Sequence, residues 1–274
     1  MYKPHNLKKE APGCTALAQT GYDENRRPLL ALGQNWDWSP RFSNSVVILR
    51  LEPDKAPKLV TFTEAGMIGK IGFNEHRLGV CLNFLWHPSN NPYRKFGMPI
   101  HCLLRSIMAC TTLEEAYKQI AWMPRCASAN FMLAQHRVNH SLEAMSLELT
   151  PDAIARLPLE RNSLIHTNHY LSNALVASHE TQTNASAISS TISRYQMAEE
   201  AVHTLRKKEP DPVSRMKQIL ALGEGALPIS RSLNKKNASN GTVAGIIMDL
   251  SRNDLFLTAG PPHETEWVTC LGVK

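Results

Sequence analysis

Stretches with strand character and stretches with helical spacing are grouped along this chain, and their order limits the folds open to it. Strand patterns come first, a pair of helical patterns follows, and further strands, helices and strands complete the sequence. Because strands and helices occur in runs instead of alternating singly, the order is typical of an α+β fold. We therefore predict one domain in which sheets are covered by helices.

Strand patterns fill the first third of the chain, which we expect to form an antiparallel meander. Residues 15–19 and 29–36 flank a polar segment, 21–28, and this arrangement indicates a β-hairpin. Apolar and β-branched residues predict the further strands 46–51, 59–63, 79–84, 127–134, 144–149, 164–168, 243–250, 255–258 and 267–271.

Helical spacing marks the middle and the last third of the chain. Thr112 and Glu115 form a capping box at the start of the second predicted helix. Residues 171–187 are rich in Ser, Thr, Asn and His without a clear period, so we predict a long surface loop there. The predicted helices are 99–109, 113–120, 192–208 and 211–222.

Length and cysteine content exclude several classes of protein. A chain of 274 residues with 43% hydrophobic content can bury a core without disulfide bonds. The sequence has neither a signal peptide nor an apolar run of the ~18 residues that a membrane helix needs. The cysteines are far apart and form no Cys-x-x-Cys pair, which predicts reduced thiols in a cytoplasmic protein. They are Cys14, Cys81, Cys102, Cys110, Cys126 and Cys270.

The formal net charge of +6 attracts anions mildly but does not identify a partner. The basic pairs at 8–9, 207–208 and 235–236 are scattered and have no aromatic residues between them. Such pairs are typical of solvated surface rather than of a nucleic-acid interface. A nucleic-acid binder stays as a minor alternative, which predicts salt-dependent retention on DNA.

Gly13-Cys14-Thr15 is the first candidate for chemistry. A thiol that follows glycine at the start of a strand has room to attack the Gly13 carbonyl and move the chain from nitrogen to sulfur. Hydrolysis of that thioester would leave Cys14 as a new N-terminus, whose α-amine has an unperturbed pKa of about 7.7–8.0 and can take the thiol proton. Taken alone, however, a cysteine after glycine is more often a small buried core residue.

Residues 33–38 end the second strand of the predicted hairpin. The hairpin would bring Asp37 near Cys14, where its carboxylate could accept a hydrogen bond from the new ammonium group. The composition equally fits a strand end with Trp36 and Trp38 in the core and Asp37 as a turn-forming residue. Both interpretations stay open on the residues alone.

Five motifs follow one another along the chain, at 13–15, 33–37, 63–74, 127–129 and 166–169. In order and spacing they resemble the acyl-CoA:6-aminopenicillanic acid acyltransferase (isopenicillin N acyltransferase) family. The resemblance covers Cys14 to the C-terminus. It implies a self-cleaving N-terminal-nucleophile hydrolase with an α+β fold, a four-layer αββα sandwich of two antiparallel sheets between helices. It also implies a short leader, 1–13, removed by self-cleavage, and a single catalytic domain, 14–274.

The same resemblance assigns roles to four residues. Cys14 would be the nucleophile, Asp37 would support the terminal amine and the processing step, and Ser128 matches a serine that the family needs. Asn168 would supply the side-chain amide of the oxyanion hole, where an N–H donor stabilises the developing tetrahedral oxygen. Without the resemblance, Asn168 is a strand-end hydrogen-bonding residue and Ser128 a strand hydroxyl.

No cofactor or metal ion is predicted. His166 and His169 form a His-x-x-His pair, but no carboxylate or cysteine accompanies them at ligand spacing, and His-Glu-x-x-His is absent. The glycine-dense stretch 63–74 lacks the end of a phosphate loop because Gly69-Lys70 continues into Ile71. We expect this stretch to line the pocket or to let backbones pass closely.

Two features depart from the family pattern. Family precursors carry a much longer segment before the Gly-Cys bond, which stays bound and helps shape the substrate pocket, whereas residues 1–13 precede the nucleophile here. The family also has a Ser-Arg pair near its last strands. We expect Ser239, in the stretch 238–242, to stand in for that serine, and we find no counterpart for the arginine.

The sequence thus predicts an N-terminal cysteine amidohydrolase or acyltransferase working through a Cys14 acyl-enzyme. Its expected substrate is a small-molecule amide or an acyl-CoA-like thioester, with hydrolysis of an N-acyl amide favoured over penicillin-type transfer. The alternative is a catalytically silent family member that acts as a binding or interaction protein. We predict neither nucleic acid nor membrane as a partner, and a homo-oligomer stays open.

Overall fold

The computed structural model of the chain describes residues 13–87, 90, 96–137, 141–176, 185–233 and 240–273. Within these ranges it forms thirteen β-strands and five α-helices. The strands are β1 (Thr15–Tyr22), β2 (Pro28–Trp38), β3 (Val46–Leu51), β4 (Leu59–Glu64), β5 (Ile71–Asn74), β6 (Leu78–Phe84), β7 (Ala129–His136), β8 (Leu142–Leu149), β9 (Ile154–Pro158), β10 (Ser163–His166), β11 (Gly241–Asp249), β12 (Asp254–Leu257) and β13 (Val268–Leu271). The helices are α1 (Ile100–Ile107), α2 (Leu113–Trp122), α3 (Asn173–Val176), α4 (Ala185–Leu205) and α5 (Pro212–Leu220).

The strands form two antiparallel sheets that pack face to face. The first sheet has the order β10-β1-β2-β11-β12-β13, and the second has the order β3-β4-β5-β6-β7-β8-β9. Helices α1 and α2 pack on the outer face of the second sheet, and α4 and α5 pack on the outer face of the first. The result is the predicted four-layer αββα sandwich.

Strand β1 shows why both faces of the first sheet are apolar. Successive side chains of a strand point to opposite faces. Ala16 and Ala18 therefore join the core between the two sheets, whereas Leu17 joins the core under α4 and α5. Cys14 lies on the inter-sheet side with Ala16, and Thr15 lies on the helix side. The first residues of β1 thus contact both the core between the sheets and the layer of α4 and α5.

The predicted hairpin is confirmed, because β1 pairs antiparallel with β2 from Thr15–Asn35 to Tyr22–Pro28. The single meander predicted for the first third is wrong. Strands β1 and β2 belong to one sheet, and β3 to β6 belong to the other. A short 3₁₀ turn, Pro40–Phe42, follows β2 on the way to the second sheet. Local patterns predict strands, but the choice of sheet depends on contacts distant in sequence.

The predicted surface loop at 171–187 is also partly wrong. Helix α3 lies within it and α4 begins at Ala185, while residues 177–184 are outside the described ranges. Sequence patterns missed the short strands β5 and β9. The N-cap of α2 is confirmed, since the Thr112 side chain accepts a hydrogen bond from the Glu115 backbone N–H at 3.1 Å.

Some predictions concern residues beyond those described. Residues 1–12 of the predicted leader and Ser239 lie outside the described ranges, as do the basic pairs at 8–9 and 235–236. The third basic pair, Lys207 and Lys208, is exposed as expected. No helix within the described ranges combines the length and the apolarity that crossing a membrane requires.

Candidate active site

Cys14 lies directly before β1, where the hairpin brings it to the end of β2. Its Sγ is 4.0 Å from the backbone carbonyl oxygen of Asp37, and the residue is only 5% exposed. Burial and, to a smaller extent, the negative charge of Asp37 raise the pKa of the thiol to about 11, although Arg194 and Lys70 favour the thiolate. In this structure the thiol is therefore protonated at neutral pH.

The Asp37 carboxylate is fully buried at the end of β2. Its Oδ1 accepts a hydrogen bond from Thr242 Oγ1 at 2.7 Å, and Oδ2 lies 3.6 Å from Arg231 Nε. Oδ2 accepts no hydrogen bond from the described residues. Burial raises the pKa of Asp37 to about 6, although Arg231, Arg194 and the Thr242 hydroxyl all favour the charged form. This oxygen is therefore an unfilled acceptor in the interior.

Arg194, on α4, joins the start of β1 to the loop that follows β10. Its Nη1 donates to the carbonyl oxygen of Cys14 at 2.6 Å and to Thr15 Oγ1 at 3.0 Å. Its Nη2 donates to Asn168 Oδ1 at 3.0 Å. The guanidinium is buried, and burial together with the charge of Arg231 lowers its pKa to about 10. The sequence analysis missed this residue, although an arginine on the buried face of an amphipathic helix was an available signal.

Asn168 is half-buried, and its contacts fix the orientation of its side-chain amide. Oδ1 faces the Arg194 guanidinium, and Nδ2 donates to the carbonyl oxygen of Phe84 at 3.0 Å. Its backbone N–H donates to Thr191 Oγ1 at 2.7 Å. An amide NH₂ has two hydrogens, so the second N–H of Asn168 has no acceptor among the described contacts. A donor is available at this point.

Arg231 lies against the glycine that precedes Cys14. A Cβ built on Gly13 would come within 3.0–3.1 Å of the Arg231 guanidinium, so a larger residue would require the guanidinium to shift by a few tenths of an ångström. Arg231 also donates to Ser190 Oγ on α4. With Ser230 it forms a Ser-Arg pair ahead of β11. An arginine is thus present at the site, whereas the sequence analysis searched only residues 238–242 and found none.

Ser128 does not share these contacts. Its backbone N–H and its hydroxyl both donate to Asn90 Oδ1, at 2.9 and 2.7 Å. None of the contacts described for Ser128 involves Cys14, Asp37 or Asn168. The structure therefore brings three of the four predicted residues together, and a role for Ser128 stays a prediction.

Lys70 brings part of the glycine-dense stretch close to Cys14. Its ammonium binds Glu64 Oε1 at 2.7 Å and lies 4.0 Å from the centroid of the Trp36 ring. Both charged side chains are buried. The Lys70 charge favours the thiolate form of Cys14. The stretch therefore contributes an electrostatic neighbour of the thiol.

The two histidines of the His-x-x-His pair have separate partners. His166 Nε2 pairs with Glu148 Oε1 at 2.8 Å, and His169 Nδ1 lies 3.1 Å from Thr167 Oγ1 and 3.0 Å from Thr191 Oγ1. Burial lowers the pKa of His169 to about 4. Across the described part of the chain, no three His, Cys, Asp or Glu side chains are grouped as a metal ion would require.

Two facing antiparallel sheets between helix pairs, with a cysteine at the head of a central strand, define the N-terminal-nucleophile hydrolase fold. The N-acylethanolamine-hydrolyzing acid amidase ortholog of Caenorhabditis elegans has this fold and superposes with a TM-score of 0.59 at 15% identity, covering 86% of this chain and 93% of that one. A mutant of the conjugated bile acid hydrolase from Clostridium perfringens gives 0.60 at 14% identity, covering 93% and 92%.

Sequence similarity identifies the family within this fold. The profile of the acyl-coenzyme A:6-aminopenicillanic acid acyl-transferase family matches residues 23–264, and the chain belongs to this family. The 40 kDa form of the acyl-coenzyme A:6-aminopenicillanic-acid-acyltransferase of Emericella nidulans is 32% identical over 170 residues. That match covers 62% of this chain and 44% of the relative, so the chain spans less than half of the relative's length.

The raised pKa of Asp37 predicts a pH dependence of stability. The Asp37 carboxyl group keeps its proton up to about pH 6 in the folded chain, but only up to its ordinary pKa of 3.8 in the unfolded chain. The stabilisation from this proton is therefore complete below pH 3.8 and is lost as pH rises to about 6. We compare the Cys14→Ala protein with the Cys14→Ala/Asp37→Asn protein. Over that pH range, we expect the unfolding free energy of the protein that retains Asp37 to fall by roughly 3 kcal/mol relative to the Asn variant. Denaturant titrations at several pH values measure it.

Asp23 supplies the control for this experiment. It is partly buried, and a hydrogen bond from the Arg27 backbone N–H lowers its pKa. Its contribution must therefore be lost as pH falls, in the direction opposite to that of Asp37. If the unfolding free energy depends on pH equally in Asp37→Asn and in its parent, the raised pKa of the buried Asp37 carboxylate is contradicted.

Arg194 predicts a large loss of stability on substitution. In Arg194→Met the acceptors on Cys14, Thr15 and Asn168 lose their buried cation, and we expect the unfolding free energy to fall by about 3–5 kcal/mol. Arg206→Met, just beyond α4 and exposed, should change it by no more than about 0.5 kcal/mol. Urea unfolding followed by circular dichroism measures both, and equal effects would contradict a bridging role for Arg194.

Proposed function

We propose that this chain is a self-processing N-terminal cysteine enzyme that transfers the acyl group of a small N-acyl amide or acyl thioester through Cys14. The observation that carries the proposal is that Cys14 lies beside Asp37, whose carboxylate charge acts on the thiol, and that Arg194 joins Cys14 to the Asn168 amide. The family profile supports the same reaction class.

The first step is cleavage of the bond between Gly13 and Cys14. The thiol attacks the Gly13 carbonyl carbon, a C–S bond forms, the C–N bond breaks, and the departing nitrogen takes the thiol proton. Water then hydrolyses the thioester, which releases a Gly13 carboxylate and restores the thiol. Arg231 packs against Gly13 and holds this peptide in place, and the glycine leaves room for the attack.

Cleavage supplies the base that the thiol needs. In the intact chain the pKa of Cys14 is about 11, so little thiolate exists at neutral pH. The new α-amine has an unperturbed pKa of about 7.7–8.0 and lies on the same residue as the thiol. Asp37 Oδ2, a buried acceptor without a donor, is suited to bind the ammonium that forms when the amine takes the proton.

Acyl transfer then needs a donor for the tetrahedral oxygen. The Asn168 amide has one N–H engaged with Phe84 and its oxygen engaged with Arg194, which leaves the second N–H to stabilise the oxyanion. A donor held rigidly before the reaction does not have to reorganise during it. The acyl group on Cys14 passes to water, which completes hydrolysis, or to an amine, which completes transfer.

The names of the relatives support a small-molecule acyl substrate. The Emericella relative is named for acyl-coenzyme A and 6-aminopenicillanic acid. The structural neighbours are named for N-acylethanolamines, conjugated bile acids and, in Agrobacterium tumefaciens, penicillin V, the last with a TM-score of 0.54 at 13% identity. We place hydrolysis of an N-acyl amide first and transfer to an amine second.

Self-processing predicts a defined change in mass. The purified wild-type protein should lack residues 1–13, and Cys14→Ala should retain them, because the substituted side chain cannot form the thioester. Cys81→Ala is the matched control, since Cys81 is buried in the same inter-sheet core and should leave processing intact. Intact-mass spectrometry with N-terminal sequencing measures the outcome. An uncleaved wild type whose activity survives in Cys14→Ala would end the proposal.

Asn168 predicts a loss of rate in the mature enzyme. Removing one oxyanion donor typically costs about 10²–10³-fold in kcat, and we expect this from Asn168→Ala in a panel of fluorogenic amides and acyl thioesters. Asn25→Ala, at an exposed turn, should match the wild type. Alkylation of Cys14 should abolish turnover in every variant. A folded, processed wild type that turns over no member of the panel would favour a binding protein instead.

A further inference from the structure

Glu148, near the end of β8, reaches from the second sheet to the segment that carries Asn168. Its Oε1 accepts hydrogen bonds from His166 Nε2 at 2.8 Å and from the backbone N–H of Leu171, and its Oε2 accepts one from the backbone N–H of Ser172 at 3.0 Å. Neither Glu148 nor His166 is exposed. The Glu148 carboxylate thus binds His166, which precedes the loop 167–172 that carries Asn168, and the last two residues of that loop, Leu171 and Ser172.

Every polar atom of the His166 and Glu148 side chains has a hydrogen-bond partner. His166 Nδ1 lies 2.9 Å from the carbonyl oxygen of Thr167, and a carbonyl only accepts, so Nδ1 carries a hydrogen. Both oxygens of Glu148 accept backbone N–H groups, and His166 Nε2 makes the third contact with this carboxyl group. The pair is therefore a buried hydrogen-bonded contact in which both ring nitrogens of His166 and both oxygens of Glu148 are engaged.

The backbone of His166 is held from the second sheet as well. Asn83 Nδ2 donates to the His166 carbonyl oxygen at 3.4 Å. Asn83 Oδ1 accepts from Asn130 Nδ2 at 3.0 Å, and Asn130 Oδ1 accepts from Ser146 Oγ at 2.6 Å. These three side chains lie on the adjacent strands β6, β7 and β8. The ring and the carbonyl of His166 are thus both anchored across the sandwich.

We propose that Glu148 and His166 are positioning residues that clamp the loop 167–172 at both ends and so fix the Asn168 amide. Arg194 and Phe84 orient that amide but do not hold the loop backbone. Misplacement of a reacting group by about 1 Å can cost on the order of a hundredfold in rate. The inference rests on the proposed role of Asn168 as oxyanion donor.

A double-mutant cycle tests the inference by activity. Glu148→Gln keeps the shape of the side chain but replaces one carboxylate oxygen with an NH₂ group. That NH₂ group would face a backbone N–H of Leu171 or Ser172, which is also a donor. We expect kcat to fall by up to about a hundredfold while KM stays within about twofold, since both side chains are fully buried and act through Asn168. In an Asn168→Ala background the same substitution should lower kcat little further, because the donor it positions is absent.

Two further variants keep the cycle interpretable. Glu143→Gln is the same substitution on the same strand, where Glu143 pairs with Arg137 at a half-exposed site, and it should leave kcat unchanged. His166→Gln retains a neutral donor toward Glu148 and should give a smaller loss that again vanishes without Asn168. A loss in Glu148→Gln that multiplies with that of Asn168→Ala would overturn the proposal.

Hydrogen exchange tests the clamp without any assumption about catalysis. In Cys14→Ala protein, we expect the backbone amides of Leu171, Ser172 and Asn168 to exchange faster in Glu148→Gln than in Glu143→Gln, with strand β8 unchanged. Unchanged exchange at 167–172 would overturn the clamp even if the enzyme is active. Faster exchange at this loop, together with a wild-type protein that does not process, would support the clamp and contradict the proposed function separately.

Discussion

A buried guanidinium is the constraint on which the rest of the site depends. Arg194 is 1% exposed and carries its charge between the first sheet and α4. A buried cation is costly unless acceptors surround it, so α4 has to lie where the carbonyl of Cys14, the hydroxyl of Thr15 and the amide oxygen of Asn168 meet. The same contact orders the strand start, the helix and the loop together.

Burial explains the raised pKa values of the acidic groups near Arg194. Cys14 and Asp37 are both buried, and burial favours their neutral forms more strongly than the cations Arg194, Arg231 and Lys70 favour the charged ones. Under the proposed mechanism, cleavage adds an ammonium group to this interior. A new cation beside Asp37 would lower the pKa of that carboxyl and of the thiol, so processing itself would tune the site.

The sequence predicted the elements better than it predicted their neighbours. The hairpin that brings Asp37 to Cys14 is a local feature, and its turn and strand patterns are adjacent in the chain. Arg194 and Arg231 come to the same place from elements remote in sequence. The helical pattern could mark Arg194 as buried, but it could not show that either arginine meets Cys14 or Gly13. Glu148 fits the polar position of an alternating strand pattern, yet it is buried because the opposite sheet supplies polar partners for it.

The burial of Glu148 shows that two regions of the inter-sheet layer are held together by different interactions. Toward Leu30, Leu32 and Phe73 the inter-sheet layer is apolar, and dispersion and burial hold the sheets together there. Near the loop 167–172 the layer becomes a hydrogen-bonded network that includes Glu148 and His166. Apolar packing tolerates small shifts between sheets, whereas a satisfied polar network permits few arrangements. The position of Asn168 is therefore set by the part of the core with the least freedom to move.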